Sequence, residues 1–231
     1  MTSTTNKKEL FGGIILLAAF LAVLVAIFMP LYHGQNGLNY LDNLFNSISK
    51  GSAYYIPAIS EDVKKAQTGK PVTVKLTYDT EAQAAESALL FRKSQATAVV
   101  EGATLTVTGD FGAILGNCLE DADTLFHNDG EKLQAKYGLE GRKALFCWHK
   151  SLKAMQKDLN KQEKFAEGKV VYTVMTKAVE CAYNYYKIVP EKITDRLGTV
   201  LFALVFYVIY TLWYGYAILF IFEGSGMQIS H

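Results

Sequence analysis

From Leu10 to Leu41, and again from Leu197 to Phe222, the chain carries no Asp, Glu, Lys or Arg. Crossing the hydrocarbon core of a bilayer takes about 20 mostly apolar residues in a helix. Both runs reach that length, so the pattern predicts transmembrane helices at 10–32 and 197–222. Between them the periodicity changes repeatedly. After an exit turn marked by Pro30, Gly34 and Gly37, residues Leu38, Leu41, Leu44, Phe45 and Ile48 recur at helical spacing opposite Asn39, Asp42, Asn43 and Asn46, which predicts an amphipathic helix. With Tyr40, Tyr54 and Tyr55 nearby, this helix suits either the headgroup level of a membrane or packing on the following domain.

From Pro71 the period is two. Val72, Val74, Leu76 and Tyr78 alternate with Thr73, Lys75 and Thr77, as expected of a half-buried strand. Thr80 is placed to cap a helix with Glu81 in its first turn and Ala84, Ala85, Ala88 and Leu89 along it. Two further strands, Ala98 to Val100 and Thr104 to Thr108, flank Glu101, Gly102 and Ala103 as a hairpin with Leu105 and Val107 inward. Helices are then expected from Phe111 to Phe126 and around Leu145, Trp148, Leu152, Met155 and Leu159, whose alternating spacings of three and four make an antiparallel seam. The stripe Val170, Val174, Ala178, Cys181 and Tyr185 is the expected partner face. The fold class is therefore a membrane protein of α+β type, two transmembrane helices bracketing an extramembrane domain at 33–196 with a small β-sheet and a helical pair or bundle.

Charge adds a topology. Of 23 Lys plus Arg and 22 Asp plus Glu in 231 residues, only Lys7, Lys8, Glu9 and Glu223 lie outside the segment between the two apolar runs. That segment is almost neutral, which argues against nucleic acid as a partner, and the spans lack flanking polybasic clusters for anionic lipid. Lys7 and Lys8 before a long run without a small-x-small cleavage site read as an uncleaved signal anchor. The positive-inside rule then puts the tails 1–9 and 223–231 in the cytoplasm and the large domain outside. Lys187, Lys192 and Arg196 beside the second span pull the other way, but long loops translocate largely regardless of charge. The absence of any Asn-x-Ser/Thr acceptor fits a bacterial periplasmic domain on the inner membrane.

Candidate chemistry is sparse. Cys118, Cys147 and Cys181 match no zinc or haem spacing, and a Cys118 to Cys147 disulfide is open. Cys147 and His149 diverge on a helix, which weighs against a shared metal ion with Cys118 and His127. No nucleophile elbow, P-loop or His-Glu-x-x-His occurs, so neither enzyme activity nor a cofactor is expected. Instead, Ala18, Ala22 and Ala26 stand four apart as a small-residue ridge suited to close helix packing, on the chain's own second span or on another subunit. Tyr207, Tyr210, Thr211 and Tyr214, with Trp213 and Gly215 beside them, place hydroxyls near mid-span, where each seeks a protein partner. Neither span has an ionisable Asp, Glu, Lys, Arg or His in its core for an ion path. The expected function is a non-catalytic accessory or scaffolding subunit of a larger membrane complex, working through other integral membrane subunits or self-association, with a carboxy-terminal tail too short to be an output domain. The alternative is a membrane-anchored module that senses or binds a small-molecule ligand and signals through partner helices.

Overall fold

The computed structural model describes residues 6–32 and 34–227. Of the tails expected at 1–9 and 223–231, residues 1–5 and 228–231 lie outside this range, as does His33 in the expected exit turn. The described chain is mostly helical with one three-stranded antiparallel sheet. It divides into two compact units, one made of residues up to Ile48 together with those from Pro190, the other spanning Ser49–Val189.

The first unit is built on α1 (Lys7–Phe28) and α10 (Leu197–Gly224), preceded by a short 3₁₀ turn at Ile193–Arg196. Asn6 caps α1 by accepting a hydrogen bond from the Lys8 N–H at 3.3 Å. The helix ends at Phe28, and the chain turns through a short bridge between Tyr32 and Gln35 before α2 (Gly37–Ser52). α1 and α10 pack on each other and are long and apolar enough to cross a membrane. The boundary between the units falls within α2.

The second unit contains α3 (Ile56–Gln67), β1 (Pro71–Thr77), α4 (Glu81–Lys93), β2 (Thr97–Glu101), β3 (Thr104–Asp110), α5 (Phe111–Phe126), α6 (Gly130–Tyr137), α7 (Gly141–Lys161), α8 (Phe165–Val174) and α9 (Glu180–Asn184). The sheet order is β1-β3-β2. Val74 pairs with Val107 and Leu76 with Leu105, so the alternating apolar residues of β1 and β3 share one buried face. Thr80 caps α4 by accepting from the Gln83 N–H, and Asp110 starts α5 by accepting from Ala113 at 2.6 Å. The outer edge of β1 is covered by α7: Asp158 accepts from the Lys75 N–H and Gln162 donates to the Thr73 carbonyl, each at 3.0 Å. That covers a row of backbone groups otherwise open to edge pairing.

The α7 seam is as expected, with Leu145, Trp148, Leu152, Met155 and Leu159 all at 0 % exposure. The partner face is not the expected stripe. Val174 and Ala178 are buried, but Val170, Cys181 and Tyr185 sit at its margin, and the buried set is Val171, Val174, Met175, Ala178, Val179 and Ala182. Upstream, in ordinary α-helix, Val171 rather than Val170 is the buried residue; for Cys181 and Tyr185 the cause is a π-helical turn at Met175–Val179 between α8 and α9. Its wider turn accommodates an extra residue and shifts the register after it. Two helices, α3 and α6, stand where the residue pattern predicts no element. Both are short and polar on one side, and α6 is fixed by caps, Asp129 at its start and left-handed Gly138 (φ 71°) at its end.

Candidate functional site

The face that joins α1 to α10 is an alternating three-and-four repeat. On α10 it runs Ala203, Phe206, Tyr210, Trp213, Ala217 and on to Gly224, all partly or fully buried. Against it lie Gly13, Leu16, Phe20 and Val23 of α1. The helices come close at two glycines: an added Cβ on Gly224 would collide with the Leu10 backbone, and one on Gly13 would stand 2.8 Å from the Ile221 nitrogen and 3.1 Å from the Ala217 carbonyl. A residue without a side chain is what this approach requires. Further along, polar tips enter the seam. The Trp213 indole N–H donates to the Leu16 carbonyl and the Tyr210 hydroxyl to the Phe20 carbonyl, both at 3.1 Å. The Tyr210 ring stacks on Phe20 at 4.2 Å and 17°.

The sequence-derived contact residues are thereby separated. Tyr210 is in the seam. Tyr214 touches Phe20 ring to ring at 5.3 Å yet remains 49 % exposed. Thr211 returns its hydroxyl to its own helix, donating to the Tyr207 carbonyl at 2.8 Å, and Tyr207 is 69 % exposed. On α1, Ala18 and Ala22 are exposed and turned roughly opposite the seam, while Ala26 is half-buried at the margin. The ridge is therefore not the surface on which α1 meets α10. Phe20, Trp213, Gly13 and Gly224 make that contact, and the signal for them is the three-and-four repeat of large, polar-tipped and small residues in α10.

At the other end of the hairpin α1 and α10 spread apart. A cleft of about 630 Å³ opens there, walled by Val23, Ile27, Phe202 and Phe206 and roofed by Leu38 and Leu41 of α2. Its polar atoms are few: Thr199, Tyr207, Tyr210 and, beneath α2, the stacked pair Tyr32 and Tyr40.

In the second unit the two buried charges, Asp121 and Lys50, are consumed by structure. Asp121, 1 % exposed, accepts from Lys136 Nζ at 2.6 Å, the Tyr137 hydroxyl at 2.5 Å and the Trp148 indole at 2.7 Å. Burial, together with the neighbouring Asp121, pushes the Tyr137 phenol well up. Lys50, also 1 % exposed, donates to Asn128 Oδ1 and to the Tyr185 and Ile188 carbonyls at 2.7–3.0 Å, and desolvation lowers its pKa. All three cysteines are free thiols. Burial pushes Cys147 up to about 11 and Cys118 well above the ordinary thiol value, the opposite of what a reactive nucleophile needs. Among the described residues no group of three or more His, Cys, Asp or Glu is placed to hold a metal ion. No protein-family model, no curated protein sequence and no solved structure matches the chain.

Proposed function

We propose that this chain is an integral membrane protein that serves as a non-catalytic accessory or scaffolding subunit of a larger membrane complex. The observation that carries the reading is the division of labour on the apolar helices. Gly13, Phe20, Tyr210 and Trp213 satisfy the internal seam, which leaves Ala18 and Ala22 on an exposed face of α1 with the spacing that favours a further helix. Membrane insertion is supported by exposure: only 6 % of the most apolar window of each helix is buried, too little for core helices of a water-soluble unit. In this reading α1 and α10 span a bacterial plasma membrane, Lys7 and Lys8 face the cytoplasm, and the Ser49–Val189 unit lies on the periplasmic side. The raised thiols and the hydrogen-bonded Asp121 favour a non-catalytic role.

Purification of the full chain in mild detergent followed by mass spectrometry tests the function. A stoichiometric integral membrane partner is the expected result, and a monomer without one rejects the proposal. Topology is tested separately with Lys161→Cys at the exposed end of α7. An impermeant thiol reagent should label it with the inner membrane sealed and only the outer membrane opened; labelling that requires opening the inner membrane reverses the orientation.

A further inference from the structure

The cleft between α1, α2 and α10 has no counterpart in the seam that closes the rest of the hairpin. At the Gly13 end small residues let the backbones meet, whereas at the other end Val23, Ile27, Phe202 and Phe206 line an apolar cleft. The opening from Thr199 to Tyr210 runs roughly 16 Å along α10, about half the thickness of a hydrocarbon core. It is closed above by α2, whose Gly37 is seated against the Ile27 carbonyl, and below by the stacked Phe20 and Tyr210.

Those bounds select the occupant. A partner helix is about 10–12 Å across with its side chains and cannot run through a short groove roofed at one end and floored at the other. An acyl chain is thin and flexible enough. Taking a methylene to fill roughly the 30 Å³ of one liquid water, about 630 Å³ accepts on the order of 20 methylenes. Apolar burial supplies no preference here, because lipid tails leave one hydrocarbon surrounding for another. Selectivity has to come from the headgroup. Beside the cleft, Arg196 stands at the start of α10, one turn before Thr199, and forms a two-pronged pair with Glu191, Nε to Oε2 at 2.6 Å. The Glu191 N–H in turn donates to the Ser47 carbonyl of α2 at 3.1 Å, which fixes this segment to the roof. Lys192 and Asp195 complete a cluster with two charges of each sign.

From the apolar cleft and the balanced charges at its mouth, we infer that the first unit binds one zwitterionic phospholipid, an acyl chain lying in the cleft and the headgroup over Glu191, Lys192, Asp195 and Arg196. The phosphate is matched to Arg196 and Lys192, and an ammonium group to Glu191 and Asp195. The inference rests on α1 and α10 spanning a bilayer, but not on the identity of any partner subunit.

The test is native mass spectrometry of the delipidated full chain in detergent, titrated separately with a palmitoyl-oleoyl phosphatidylethanolamine and the matching phosphatidylglycerol. One bound phosphatidylethanolamine per chain is expected, at least threefold preferred over the anionic lipid. Ala203→Phe fills the cleft and should reduce binding at least tenfold, whereas Ala22→Phe adds the same ring on the exposed face of α1 and should leave it within twofold. Thr199→Phe at the mouth provides a second block should Ala203→Phe fail to fold, and Arg196→Gln should abolish the headgroup preference while retaining chain binding. No bound lipid, stronger binding of phosphatidylglycerol, equal loss in Ala203→Phe and Ala22→Phe, or a second polypeptide that displaces the lipid would each overturn the inference. Alkaline carbonate extraction separates its failure from that of the membrane reading. Release of the chain without detergent refutes membrane insertion, while retention without lipid binding refutes only the lipid site.

Discussion

At the scale of single residues, the buried charges of the second unit hold it together. Asp121 accepts in the interior from one ammonium and two neutral donors, so deleting its carboxylate strands the Lys136 ammonium and the Trp148 indole together. Breaking such a pair by removing one partner costs about 3–5 kcal/mol. Asp121→Ala should therefore lower unfolding stability by about 3 kcal/mol in urea titrations, near the lower end because Lys136 retains some access to water. Alkaline pH should act on the same unit. Burial raises Tyr78 to about 12 and Cys147 to about 11, and burial with the Asp123 hydrogen bond raises Tyr54 to about 12. These groups hold their protons when folded at a pH where the unfolded chain, with phenols near about 10 and thiols near about 8.5, has begun to lose them. Their stabilisation is whole below the unfolded values and is lost as pH climbs toward the folded ones. Lys50 has the opposite sign. Its lowered pKa means the unfolded chain binds more protons up to pH about 10.4, so its contribution to stability rises with pH. The raised groups outnumber it, and the urea midpoint is expected to hold between about pH 7 and 8 and fall above about pH 9. In Lys50→Met, which removes the compensating group, the fall should be steeper; a midpoint that rises through this range contradicts the assignment.

At the scale of elements, the π turn between α8 and α9 is where local pattern and tertiary packing part company. The turn carries one residue more than an α-helix needs, and Lys177 within it is exposed. Deleting Lys177 should convert the turn to ordinary α-helix while Val171, Val174 and Ala182 keep their buried places. The expected cost is about 1 kcal/mol, within the ordinary range for a single change. Deleting Lys153, exposed in the uninterrupted α7, should instead rotate Met155 and Leu159 out of the seam and abolish cooperative thermal unfolding. Equal damage from the two deletions would show that the extra residue is not what shifts the face. The sheet behaves otherwise: the inward places of Val72, Val74, Leu76, Leu105 and Val107 are legible in the residue pattern alone, because a period of two leaves one choice of face.

At the scale of the whole molecule, the exposed faces of α1 and α10 decide how the chain would work among neighbours. Under the proposed function, Ala18→Leu combined with Ala22→Leu should remove the partner during purification, a loss of at least tenfold in recovered partner. The same change should leave the Tyr210 to Phe20 seam and the thermal unfolding of the chain unaltered, since neither alanine enters it. Loss of the fold along with the partner would instead place the ridge in the internal packing.

The two apolar helices, the strand pattern and the α7 seam follow from the sequence alone, because each is written as a periodicity or a composition that local physics reads directly. Which face of an almost wholly apolar helix meets which neighbour is not written that way: with no polar side to α1 or α10, hydrophobicity gives no direction. Packing geometry settles it, through glycines that permit close approach at one end and aromatic side chains whose polar tips bond across the seam further along. The same holds for the partner face of α7, where one extra residue in a helical turn moves the buried stripe. In both cases the tertiary structure decided because close packing discriminates between surfaces that transfer from water cannot tell apart.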